Sequence, residues 1–451
     1  MARKVFISVL GTGPYSECTY SADGHDIMTT RYIQLATLKY LFEKEEKNDN
    51  KWTSTDAALI FVTKKSKDDQ WDKGKARTSN GETVFTSGLK EESEKMRFPM
   101  TWVPKPIDDG KDEKEIWEIF NVIYDEIKEG DELYFDITHA FRYLPMLLLV
   151  LINYVKFLKN VTVKSITYGN FMAEGTNKPI MNLTSISQLQ DWTYAAGTYL
   201  DSGNVDKLVE MSGTNYTDFA EKLKETIADF HTCRGISIIE SSNIKQVKTL
   251  MNSMDTSNLP PLKFVFDKIK ADFSKYDDVL NVKNGYESAK WCYKNQLYQQ
   301  AITILIETVI SDICIFENLD WKRRKNRDVA SSALYIVANN VPEKGWSIIQ
   351  TENKDKYKPE CLTMLETNPC ALEEIEESVK YKSKYYSELM LYRQLVKSQR
   401  VQELVELSTM IKDVRDDIDH AGMRDGARSF SEIETKLKEI FTTLNTIVPC
   451  S

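Results

Sequence analysis

Apolar and polar positions change their rhythm about two fifths of the way along the chain. Up to about residue 185, short apolar runs alternate with helical stretches. Lys4 to Leu10 is alternating and β-branched, which predicts a buried opening strand, broken by Gly11-Thr12-Gly13-Pro14. A polar loop with Tyr15, Cys18 and Tyr20 follows, and Thr29-Thr30 is placed to cap a helix through Tyr32, Leu35, Leu38 and Leu41. Residues 57–62, 100–103, 133–137 and 161–168 read as further strands, and 180–183 as an edge hairpin. Residues 114–127 are helical by the spacing of Ile116, Ile119, Val122, Ile123 and Ile127. Residues 141–158 form a strongly apolar helix, where Pro145 is tolerated in the first turn because that backbone nitrogen needs no partner. Residues 64–97 are a charged excursion with short helices. The alternation predicts an open, mainly parallel Rossmann-like sheet with helices on both faces.

From Leu189 the strand signals stop. Residues 200–260 read as a helical connector ended by Asn258-Leu259-Pro260-Pro261. The spans 286–295, 297–317, 373–397, 402–420 and 431–446 read as the clear helices beyond it. The expected class is α/β plus all-α: an open-sheet domain over residues 1–199, the connector over 200–261 and a helical domain over 262–451.

Composition narrows the function. The 451 residues suffice for two or three cores, and a net charge of −9 argues against a protein that coats long DNA; stable DNA binding is not expected. Seven cysteines, at 18, 233, 292, 314, 361, 370 and 450, form no CxxC pair and read as reduced thiols of a cytoplasmic protein. The most apolar run, Met146 to Ile152, is far short of the ~20 residues that span a bilayer.

Two stretches carry chemistry. Near the C-terminus, Arg415-Asp416-Asp417-Ile418-Asp419-His420 precedes Ala421-Gly422. On one helix, Leu404, Leu407, Ile411, Val414 and Ile418 form an apolar stripe, Arg415 flanks it and His420 lies nearly opposite its centre. Gly422 is placed as the C′ residue, and a helix C-terminus among aspartates favours an imidazolium, suited to acid–base work. The plainer reading is a solvated, salt-bridged face. The second stretch, Asp136-Ile137-Thr138-His139-Ala140-Phe141-Arg142, falls between a strand's C-terminal end and a helix start, where open sheets bind ligands. Thr138 is placed to cap that helix and Arg142 to face a phosphate, while Gly11 and Gly13 allow close backbone approach. The plainer reading makes these a cap and a turn. No GxGxxG or Walker A sequence is present, which disfavours an ordinary dinucleotide enzyme.

Arg-x4-His on a late helix followed by Ala-Gly resembles the signature of HEPN ribonucleases. The first 200 or so residues resemble the CARF sensors of type III CRISPR systems, through Leu10-Gly11-Thr12-Gly13 with Tyr15, Arg31-Tyr32-Ile33-Gln34, and Asp136-x-Thr138-His139-x-x-Arg142-x-Leu144-Pro145. The whole chain is similar to CARF–HEPN ribonucleases of the Csx/Csm-like kind. That resemblance implies a cyclic-oligoadenylate-activated, metal-independent endoribonuclease for single-stranded RNA, acting in antiviral defence without a cofactor. Its homodimer or higher oligomer would join Arg415 and His420 from two copies into one site and form a 2′,3′-cyclic phosphate. Ligand contacts carry over to Gly11, Thr12, Gly13, Tyr15, Arg31, Thr138, His139 and Arg142. Two-fold symmetry fits rings of four or six adenylates, with the tetramer expected from family frequency. Many members have a polar amide where this chain has Asp416, which sustains an alternative: a cyclic-nucleotide-binding regulator whose helical domain is inactive. Degradation of the activator by Thr12, Thr138 and His139 is a further possibility under the resemblance.

Overall fold

The computed structural model describes residues 2–139, 143–211, 213–253, 260–348, 379–420, 422–423 and 426–448. Contacts divide the chain into two compact units, Met1–Asp191 and Trp192–Ser451.

In the first unit, β1 (Lys4–Val9), β4 (Ala57–Val62), β7 (Thr101–Pro106), β8 (Glu132–Asp136) and β9 (Thr162–Gly169) pair in parallel. The remaining strands of this sheet are β2 (Cys18–Ala22), β3 (His25–Thr30) and β10 (Asn177–Asn182), and the order is β3-β2-β10-β9-β8-β1-β4-β7. The parallel strands therefore run outward in both directions from β1, and the order reverses between β1 and β8. That is the doubly wound, Rossmann-like arrangement, with a crevice at the reversal. Burial of both faces explains the continuous apolar runs. Phe6, Ala58, Ile60 and Tyr134 pack with α1 (Ile33–Lys47) on one side. Val5, Ile7, Leu59, Phe61 and Phe135 pack on the other with α3 (Glu113–Glu126) and α4 (Leu144–Lys159); α2 (Leu89–Lys95) lies in the excursion.

Several expectations need correcting. Thr29 and Thr30 belong to β3, and α1 starts without a side-chain cap; Thr30 Oγ1 instead accepts the Tyr32 N–H at 3.1 Å. The stretch read as a polar loop is the β2–β3 hairpin. β10 is no edge: it lies between β9 and β2, because its backbone pairs antiparallel with one and parallel with the other. The excursion holds, besides a short helix, one π turn (Lys67–Asp72) and α2, a hairpin of β5 (Lys73–Arg77) and β6 (Thr83–Ser87). Tyr15 N–H donates to Lys75 O at 3.1 Å and Arg77 N–H to Tyr15 O at 2.9 Å, so this hairpin is tied to the loop after β1. α4 begins three residues later than the apolar run suggested, with Pro145 in its first turn as expected.

The described part of the second unit is helical: α5 (Thr184–Ser202, which crosses the division), α6 (Asp206–Met211), α7 (Gly213–His231), α8 (Gly235–Ile239), α9 (Ile244–Ser253), α10 (Pro260–Phe273), α11 (Val282–Lys294), α12 (Tyr298–Phe316), α13 (Arg324–Ala338), α14 (Val379–Val396), α15 (Gln399–Asp419) and α16 (Phe430–Ile447). Pro260 opens α10 where a breaker was expected, since proline's fixed φ suits a first turn; Asn258 and Leu259 lie outside the described residues, as do 373–378 of the expected 373–397 helix and Cys361, Cys370 and Cys450. Tyr199, Leu208, Leu223 and Phe230 share one core with Tyr286, Leu305, Leu404 and Leu437. α12 is long and apolar enough to cross a membrane by length and composition, and most of it is buried in this core.

Candidate functional site

The crevice between β1 and β8 is built on Asp136, the last residue of β8. Its carboxylate is buried and accepts Ser8 Oγ at 2.7 Å, Thr138 Oγ1 at 2.5 Å and the Thr138 N–H at 3.2 Å. Burial raises its pKa above the usual carboxylate value, and the three donors oppose that rise. The Asp-x-Thr spacing makes an Asx turn, in which a carboxylate captures the amide two residues on. Thr138 is therefore not a helix cap. Its hydroxyl oxygen also accepts the Gly169 N–H at 2.8 Å, joining the ends of β8 and β9, and α4 starts only at Leu144.

His139 follows on the turn and stacks on Tyr15, with ring centroids 4.3 Å apart and planes 11° apart. Its Nε2 is buried without a hydrogen-bond partner among the described residues, and burial lowers the imidazole to about 4, so it is neutral. Tyr15 Oη accepts the Gly11 N–H at 2.9 Å, and burial pushes this phenol up. A Cβ on Gly11 would sit 3.3 Å from that oxygen and 3.8 Å from His139 Cβ, so close packing, not a left-handed φ, favours glycine there. Gly13 is exposed; its carbonyl accepts Gln70 Nε2 at 2.5 Å. Thr12 is half-buried beside it.

The structure thus brings together Gly11, Tyr15 and His139, with Thr138 on the same turn as His139. Arg31 goes elsewhere: its Nη2 donates to Ser87 O at 3.2 Å and its guanidinium carbon lies 5.7 Å from the Tyr32 ring centroid, on the hairpin side. Arg142 lies outside the described residues. Sequence reasoning gave no role to four polar groups of the crevice wall. Asp136 and Ser8 hold the turn, Gln70 holds the glycine loop, and buried Gln34 donates to Val9 O at 3.2 Å while its Oε1 has no partner among the described residues. Asp136 was legible from its Asp-x-Thr spacing; nothing local marks Gln70, which comes from the excursion.

At the other candidate site, Leu404, Leu407, Ile411 and Val414 bury one face of α15, with Ile418 half-buried, as the stripe predicts. Arg415 is half-exposed and its Nε donates to Asp419 Oδ2 at 3.0 Å. His420 is the exposed C-cap, and its carbonyl accepts the Met423 N–H at 2.9 Å. Gly422, at φ +67°, is the second residue past that cap and not the first; its N–H reaches Asp417 O at 3.2 Å. Asp416 faces solvent, whereas Asp417 turns inward to Arg428, 2.9 Å away. Ala421 lies outside the described residues.

Residues 5–171 match the family model described as CRISPR system endoribonuclease Csx1, CARF domain. The chain is 29% identical over 245 residues to CRISPR-associated protein MJ1674 of Methanocaldococcus jannaschii, an overlap of 51% of this chain and 37% of that relative. It thus spans little more than a third of the relative's length.

Proposed function

We propose that this chain, whose residues 5–171 match a CARF-domain model and which is similar to a CRISPR-associated protein, is a ribonuclease switched on by cyclic oligoadenylate. The first unit senses the ring and the second cleaves single-stranded RNA. The observation that carries the nuclease half is that α15 buries its apolar stripe while leaving Arg415 half-exposed and His420 exposed at its last turn. RNA carries its own nucleophile, so a proton carrier and a cation suffice. The 2′-oxygen attacks the adjacent phosphorus as the P–O5′ bond breaks. His420 moves the proton, from the 2′-hydroxyl or to the leaving 5′-oxygen, and Arg415 stabilises the added charge on the phosphoryl oxygens. The products are a 2′,3′-cyclic phosphate and a 5′-hydroxyl, and no metal takes part.

Two copies supply the two histidines that acid and base roles require. α4 offers a surface for that pairing: Met146, Val150, Tyr154 and Phe157 recur along one face at 72%, 60%, 48% and 76% exposure. An apolar stripe this exposed fits contact with a second copy of itself around a two-fold axis. In the crevice, the ring's bases replace Tyr15 on the His139 imidazole and its phosphates meet the backbone of residues 11–13. Releasing Tyr15 from Gly11 links ligand to conformation, because a ligand shifts an equilibrium only through differential binding.

Arg415→Ala and His420→Ala test the two-site reading when calorimetry with cyclic tetra-adenylate runs beside cleavage assays. Loss of cleavage with intact ring binding is expected; loss of both together contradicts it. Ring binding with no cleavage by the unaltered protein favours the regulator alternative, to which the Arg415–Asp419 pair lends support by occupying the guanidinium.

A further inference from the structure

Residues 413–419 hold four carboxylates, Asp413, Asp416, Asp417 and Asp419, against one guanidinium, and they form the last two turns of a helix whose C-terminal end is itself electronegative. Such an end repels RNA phosphate. We infer that Arg428, from beyond the turn after His420, is the positioning residue that makes this end accept RNA, by withdrawing two of those carboxylates from the phosphate path. The inference rests on the ribonuclease reading above.

The geometry is that of a fork. Arg428 Nη2 donates to both oxygens of Asp413, each at 2.7 Å. Nη1 donates to Asp417 Oδ2 at 2.9 Å and to Asp413 O at 3.0 Å. The Asp417 side chain is 1% exposed and that of Arg428 25% exposed, so this contact is shielded from salt, whereas Asp413, 50% exposed, is neutralised by its pairing and not by burial. The Met423 amide bonds back to His420, and the Arg428 side chain grips the helix at Asp413 and Asp417. The capping box of Ser429 and Glu432 then starts α16 and fixes the backbone that carries Arg428. Of the four carboxylates, Asp419 remains on Arg415, where an arriving phosphate can displace it, and Asp416 stays in solvent, one turn from Lys412. Lysine at position 428 would keep the charge but lose the fork.

The test uses the full chain with His420→Ala, so that RNA is bound and not cut, and reads anisotropy of a fluorescein-labelled single-stranded RNA. Arg428→Ala is expected to weaken binding about tenfold at low salt, and Arg428→Lys by about threefold. Adding Asp413→Asn and Asp417→Asn to Arg428→Ala should return affinity to within about twofold of the parent, since no charge is left to neutralise. Removing both partners of a buried pair also restores folding, so circular dichroism and a thermal melt on each variant separate the roles: the loss of affinity must appear in an Arg428→Ala sample that is folded at the assay temperature. Unchanged affinity in a folded Arg428→Ala protein, or no recovery in the triple variant, overturns the inference while leaving the nuclease reading intact. A parent that neither binds nor, with His420 restored, cleaves RNA overturns both.

Discussion

The crevice and the helix end handle charge in opposite ways. At the crevice, Asp136 is buried and saturated with donors, and His139 is buried and neutral. At the helix end, Arg415, Asp416, Asp419 and His420 stand in or near solvent, and Arg415 pairs with the exposed carboxylate of Asp419. A buried polar group is costly to leave unpaired, so the crevice keeps one geometry until something supplies the missing partner of His139 Nε2. An exposed ion pair contributes little and exchanges easily, so the helix end can trade Asp419 for a phosphate. Rigid recognition at one place and exchangeable charge at the other suit the proposed function, in which a sensor controls a phosphodiesterase.

The largest effect expected is at the helix end. His420→Ala should lower RNA cleavage by about a thousandfold while ring affinity stays within about twofold, by stopped-assay cleavage and calorimetry. An equal fall in both would merge the two sites that the comparison separates.

The next prediction concerns pH. His139 sits at about 4 in the fold, below its ordinary value of 6.5. Between those values the unfolded chain takes up a proton that the folded one refuses, so stability drops as pH falls through this window, by up to about 3 kcal/mol. Asp136, raised in the fold, acts with the opposite sign, gaining stability on protonation, and blunts the lower end of the loss. Thermal melts from pH 7 to pH 4.5 should show the decline in the unaltered protein and a shallower one in His139→Gln. Parallel curves would mean that His139 is not buried as described.

Smaller effects sharpen the contrast. Tyr15→Ala removes the side chain that the ligand's base displaces from His139 and should raise cyclic-oligoadenylate affinity about fivefold; unchanged or lower affinity would show that Tyr15 does not occupy the ligand's place. Asp419→Asn frees Arg415 and should lower KM for RNA about threefold, with the gain fading at high salt. A raised KM would show that Asp419 holds Arg415 in place.

Much of this was legible. The apolar runs of β1, β4 and β8 and the stripe on α15 announce themselves because burial demands apolar residues. The β2–β3 hairpin was missed, although Asp23-Gly24, both at positive φ, is a standard two-residue hairpin signal. Its strands are polar and lie toward one edge of the sheet, so no apolar run marks them. The β5–β6 hairpin was hidden for the same reason, and with it Gln70. Thr138 was misassigned because a helix cap and an Asx turn use the same residue types; which one forms depends on where α4 starts, and that is decided by packing of Leu144, Leu148 and Leu151. Arg31 matches the expected sequence pattern, but its side chain is drawn to Ser87 by a hairpin that sequence did not reveal.

Switching of the proposed nuclease by a cyclic oligoadenylate is measured by cleavage of a fluorescent single-stranded RNA in EDTA, adding cyclic tri-, tetra- or hexa-adenylate in turn. Cleavage switched on by an even-membered ring, the tetramer first, with no metal required, is the expected result. Tight binding of a ring with no cleavage under any of them would contradict it.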